Sequence, residues 1–141
     1  MKKISKKQIS ELCRKALEMR KISYTPYSHF TVGAALLTKN GTVYTGCNIE
    51  SSTFTPTNCA ERTAIFKAVS EGNKEFRAIF VAGGNENEDP TDYCPPCGVC
   101  RQVMAEFCEQ GFEVYLVKAP KDYKMYTLAE LLPLQFTQYK G

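Results

Sequence analysis

Histidine is almost absent from this chain. His29 is the only one among 141 residues, and its place beside Phe30 reads as a surface or loop position rather than a metal ligand. Long apolar runs are missing too. The opening Met1-Lys2-Lys3-Ile4-Ser5-Lys6-Lys7 has the positive charge of a signal peptide but no hydrophobic stretch behind it, so the expectation is a protein that is neither exported nor membrane-spanning. Concentrated positive charge is also lacking. Eighteen basic residues against fifteen acidic ones leave a net charge of +3, too little for binding that works by neutralising phosphates. A small-molecule substrate is expected rather than nucleic acid. There is no internal repeat and no low-complexity tract, and 43% hydrophobic residues over this length suffice for one substantial core. One domain covering residues 1–141 follows.

Cysteine, by contrast, is plentiful. Seven is an odd number in a chain large enough to fold without disulfides, and thiolate ligands must stay reduced. A reducing cytoplasm is therefore the expected location.

Helices and strands alternate. Ser5 with Gln8 forms a capping box, and Ile9, Leu12, Cys13, Ala16 and Leu17 recur at helical spacing. Two β-rich segments, from Phe30 to Thr38 and from Val43 to Asn48, flank Lys39-Asn40-Gly41, a strong hairpin signal. A helix is predicted from Cys59 to about Ser70, then a strand from Phe76 to Val81 ending at Gly83-Gly84, then a polar loop over 84–96. A third helix fits Gly98 to Gln110 with Gly111 as its stop, followed by a strand from Glu113 to Val117. A short strand near Lys124 to Tyr126 precedes a last helix, which opens on the capping box Thr127-Leu128-Ala129-Glu130 and stops at Pro133. This order predicts an α/β fold: a mixed sheet between helical layers, a three-layer α/β/α sandwich.

The chemistry gathers in two segments. Cys59-Ala60-Glu61 offers one sulfur beside a carboxylate, and Pro96-Cys97-Gly98-Val99-Cys100 offers a sulfur pair. Catalytic zinc uses three protein ligands and keeps a position for water, and Glu61 is suited to carry that water's proton. Both segments fall at predicted helix starts, where unpaired N–H groups and the helix dipole favour thiolate. Plainer readings exist. Asn58 and Glu61 together match a helix-capping pattern, Cys59 alone would be a small buried hydrophobe, and Cys97-x-x-Cys100 alone resembles a thiol-redox pair. Capping needs no cysteine, however, and a redox pair leaves Cys59 and Glu61 unused. Cys94-x-x-Cys97-x-x-Cys100 also begins like an iron–sulfur run, but Met104 stands where the next cysteine belongs. A four-cysteine structural zinc site including Cys94 stays open at this point.

Five blocks in order and spacing resemble the small, homotetrameric, zinc-dependent cytidine deaminase family: Tyr27 to Leu36, Gly46 to Glu50, Asn58 to Ala64, Pro96 to Gln102 and Leu131 to Phe136. The resemblance covers nearly the whole chain. It implies hydrolysis of cytidine and deoxycytidine to the uracil nucleosides with loss of ammonia, a step of pyrimidine salvage. It implies one zinc per subunit on Cys59, Cys97 and Cys100, proton transfer by Glu61, and compensation of the thiolate charge by Arg62. It further assigns sugar contacts to Asn48 and Glu50 and aromatic walls to Phe30 and Phe136, the latter reaching into a neighbouring subunit of a homotetramer. Between Glu50 and Asn58, Ser52 and Thr55 replace the family's usual Ala and Gly, which makes a modified cytosine conceivable as substrate. The rival readings are a related deaminase of a nucleoside-like antibiotic of the blasticidin S type, and a non-enzymatic zinc or thiol-redox module.

Overall fold

The computed structural model describes residues 3–137. Helix α1 (Lys6–Met19) starts at Ser5, whose Oγ accepts from Gln8 N at 3.1 Å, and it buries Ile9, Leu12, Cys13 and Ala16. A 3-10 turn over Arg20–Ile22 leads towards β1 (Phe30–Thr38) and β2 (Val43–Cys47). Gly41, at φ +92°, supplies the left-handed residue this hairpin turn needs. Then follow α2 (Ala60–Ser70), β3 (Phe76–Asn85), α3 (Gly98–Phe107), β4 (Glu113–Ala119), β5 (Asp122–Thr127) and α4 (Leu128–Leu131). The expected capping box of α4 is present, with Thr127 and Glu130 bonding reciprocally.

The five strands form one sheet in the order β2-β1-β3-β4-β5. Only β3 and β4 run parallel; the other neighbours are antiparallel. Because successive strand residues face opposite sides, the sheet feeds two cores. Ala34, Leu36, Ile79, Val81, Val114 and Leu116 pack with α2, α3 and α4, while Ala35, Leu37, Ala78, Phe80, Tyr115 and Val117 pack with α1. The α/β/α layering and the mixed sheet agree with expectation.

Several boundaries differ. β3 does not stop at Gly83-Gly84 but runs through them to Asn85, paired with β1 as far as Phe30. Glycine there is a consequence of crowding rather than a turn signal: a Cβ on Gly84 would lie 2.8 Å from Arg20 Nη2 and 3.0 Å from the Pro90 backbone. α3 ends at Phe107, where Cys108 turns extended, rather than at Gln110. β2 ends at Cys47; beyond it Ile49 bridges to Tyr24 and to Asn58. β5 is longer than the segment predicted. Among the described residues no helix is long and apolar enough to cross a membrane.

Candidate active site

Two helix starts converge on one side of the sheet. Cys59, not Asn58, is the N-cap of α2, and Asn58 instead donates through Nδ2 to Thr63 Oγ1 at 3.2 Å. The capping reading of Asn58 and Glu61 therefore fails. Cys97 is the N-cap of α3, where its sulfur accepts from Cys100 N at 3.4 Å. Cys59 Sγ lies 3.7 Å from Cys97 Sγ, which lies 3.5 Å from Cys100 Sγ, and all three sulfurs fall within 4.8 Å of one another. Four ligands tetrahedrally arranged at the usual zinc–sulfur length of about 2.3 Å would place sulfurs about 3.8 Å apart. The separations of 3.7 and 3.5 Å match that spacing and the third pair lies within 4.8 Å, so the donor set fits zinc.

The charge around the cluster suits thiolates. Arg62 Nη2 donates to Cys59 Sγ at 3.2 Å. Hydrogen bonding from Cys100 first, then from Arg62 and Cys97, outweighs burial and brings the Cys59 thiol down to about 5. Burial works against the Arg62 guanidinium, but its bonds to Cys59 and Cys100 hold it firmly protonated. Glu61 is only 3% exposed. Burial, helped by the charge of Cys59 and opposed by Arg62, pushes its carboxyl up to about 7.

Cys94 is not part of this group. Its side chain lies against Gly83, where an added Cβ would meet Cys94 Sγ at 2.7 Å. Burial, then the charges of Glu61 and Cys59, raise its thiol to about 11, with Arg20 opposing. A four-cysteine structural site is therefore not what the chain builds, and three clustered sulfurs are more than a redox pair requires.

Asn48, Glu50 and Phe30 gather at the entry to β1, whereas Phe136 lies against α3. Asn48 Oδ1 accepts from Val32 N and its Nδ2 donates to Phe30 O, both at 2.9 Å. Glu50 Oε1 accepts from Tyr27 N at 3.0 Å and Ser28 N at 3.1 Å, and Oε2 accepts a short bond from Ser28 Oγ. The Ser28 bond first, and then these backbone bonds, hold the Glu50 carboxyl below the usual range. Both side chains thus brace the 27–32 segment that presents Phe30, which is itself 38% exposed. Phe136 is exposed at 65%, and Gln102 Nε2 donates to its carbonyl at 2.6 Å. His29 is exposed and on a loop, paired with Glu86 at 2.9 Å, the surface or loop position expected.

Two arginines escaped the sequence reading. Arg20 is 8% exposed and donates to the carbonyls of Thr31, Asn85 and Glu88. Arg101 donates to Pro96 O at 2.8 Å and Leu131 O at 2.7 Å, tying the sulfur-bearing loop to α4. Nothing local marks either one, because their partners are backbone carbonyls, which any residue supplies, and most lie in distant segments.

Residues 6–116 match the family described as the cytidine and deoxycytidylate deaminase zinc-binding region. The chain belongs to that family. It is 48% identical over 130 residues to a cytidine deaminase of Sporosarcina psychrophila, covering 92% of each chain. The crystal structure of the cytidine deaminase from Burkholderia pseudomallei superposes with a TM-score of 0.80 at 41% identity, covering 89% of this chain and 97% of that one. A blasticidin-S deaminase of Bacillus cereus is 34% identical over 132 residues, 91% of each chain. The family's description names a zinc-binding region, and the three clustered sulfurs described above are a donor set suited to that metal.

Proposed function

We propose that this chain catalyses the zinc-dependent hydrolysis of cytidine and deoxycytidine to uridine and deoxyuridine, releasing ammonia. The observation that carries it is the set of three sulfurs on two helix starts beside a buried carboxyl. The 48% identity to a cytidine deaminase, against 34% to the antibiotic deaminase, favours the nucleoside as substrate.

Zinc held by Cys59, Cys97 and Cys100 supplies Lewis acidity that makes water a competent nucleophile near neutral pH. Glu61 is the proton carrier in this reading: it takes a proton from that water, passes it to N3 of the cytosine ring and assists the departure of the amino group as ammonia. Arg62 offsets the charge of three thiolates through its bond to Cys59. Asn48 and Glu50 take a double role. Each already braces the 27–32 segment, and each keeps hydrogen-bonding capacity for the hydroxyls of a ribose. Phe30 and Phe136 are assigned as aromatic walls, the latter serving a neighbouring subunit of a homotetramer. One zinc per subunit, a cytoplasmic location and a place in pyrimidine salvage complete the proposal, with residues 1–141 acting as one domain.

The test is to follow the ultraviolet change on conversion of cytidine to uridine, with and without a chelator, on protein whose zinc content and mass in solution are measured. Glu61→Gln should retain zinc and fold while losing kcat by about 10²–10⁴-fold. Turnover near the parent rate would remove Glu61 from the reaction.

A further inference from the structure

Gly83 stands at a crowded point of β3. A Cβ built there would lie 2.7 Å from Cys94 Sγ, 2.9 Å from Cys94 Cβ and 3.1 Å from Phe30 Cε2. Two side chains from separate segments therefore share the space that any other residue would fill. One is Phe30, at the start of β1, whose strand pairs with β3 in the register Phe30 with Asn85 and Val32 with Gly83. The other is Cys94, three residues before the ligand Cys97 and close enough to Glu61 and Cys59 for their charges to bear on its thiol. No role in the proposed reaction has used Cys94 or Gly83.

We infer that Gly83 is a positioning residue for substrate: its missing side chain leaves room over β3 for both Cys94 and Phe30, and this shared space sets how Phe30, the assigned aromatic wall, stands relative to the Glu61 end of the site. The inference rests on the nucleoside reading given above. The contacts below 3.0 Å to Cys94 cannot be absorbed without movement, the Phe30 ring at 3.1 Å must give by a few tenths of an ångström, and because both backbones are anchored the movement falls on the side chains. Phe30 is held through its carbonyl by Asn48 and through its N–H by Ser28 Oγ. The Cys94 loop is held on both sides, by Arg20 on the Glu88 carbonyl and by Arg101 on the Pro96 carbonyl. An added methyl is therefore expected to displace the Phe30 ring or the Cys94 side chain towards the substrate and leave the three ligand sulfurs in place.

The experiment compares the parent with Gly83→Ala, and with Gly83→Ala combined with Cys94→Gly, for KM and kcat on cytidine, zinc content and thermal midpoint. Gly83→Ala should raise KM about tenfold with kcat within about threefold and zinc unchanged, the signature of lost binding rather than lost chemistry. Removing both Cys94 atoms that crowd the new methyl should return most of that KM. If Gly83→Ala does not fold, Cys94→Val enlarges the same contact from its other side and should raise KM in the same way. A folded, zinc-loaded variant with unchanged KM overturns the inference, as does a fall in activity that only follows lost zinc or lost folded fraction. A parent protein that leaves cytidine untouched would instead overturn the nucleoside reading, so the two failures are distinct.

Discussion

At the scale of single residues, the site depends on how few donors reach its sulfurs. Arg62 is the cationic side chain that bonds Cys59 Sγ, at 3.2 Å, and partners one bond removed from a metal ion commonly alter its affinity by 10–100-fold. Arg62→Ala is accordingly expected to release zinc to a competing chelator about 10–100-fold more readily, with secondary structure retained. Equal zinc retention by parent and variant would show that the helix starts alone balance the thiolates. Cys59, Cys97, Cys100 and Glu61 were legible in the sequence because metal chemistry demands particular atoms at particular spacings. Arg20, Arg101 and the bracing role of Glu50 were not. The partners of the arginines are backbone carbonyls, and Glu50 takes two backbone N–H groups besides a Ser28 hydroxyl 22 positions away, so no local side-chain pattern announces them.

At the scale of elements, two glycines decide how closely the helices approach the hairpin. A Cβ on Gly33 would fall 2.0 Å from Ala16 O in α1, and one on Gly46 would fall 2.4 Å from Ala60 O and 2.6 Å from Ala64 N in α2. Since α2 begins at the sulfur-bearing Cys59, Gly46 bears on the site as well as on packing. Gly46→Ala should cost about 1–3 kcal/mol of stability, as overpacking typically does, measured by urea unfolding of the zinc-loaded protein; an unchanged midpoint would mean that α2 shifts freely. Helix starts with a polar cap, such as Ser5 and Thr127, were readable because the cap bonds lie within three residues. The run of β3 through Gly83-Gly84 was not, since its reason lies in Arg20, Pro90 and Cys94 crowding it from elsewhere. The sheet order is likewise a matter of long-range pairing, which local pattern does not encode.

At the scale of the whole molecule, buried thiols set an alkaline limit. Burial pushes Cys13 from 9.0 to about 12 against the opposing charge of Arg14, and Cys108 to about 12 as well. The folded chain thus holds these protons where the unfolded chain releases them. Above about pH 9 the unfolded state binds fewer protons, so stability falls as pH rises, and the contribution present below pH 9 is lost towards pH 12. The urea midpoint should therefore decline above pH 9, and Cys13→Ala, though weaker at pH 8 through its cavity, should decline less steeply. Parallel curves for the two proteins would exclude Cys13 as a source of the effect.

The separation of the sulfurs along the chain has a consequence for biogenesis. Cys59 and Cys97 are 38 positions apart, and β3, the central strand, lies between them. A growing polypeptide therefore lacks the full set of three sulfurs until residue 100 has been made. On the proposed zinc set, capture of the ion would close a loop around the central strand and tie both helix starts to it.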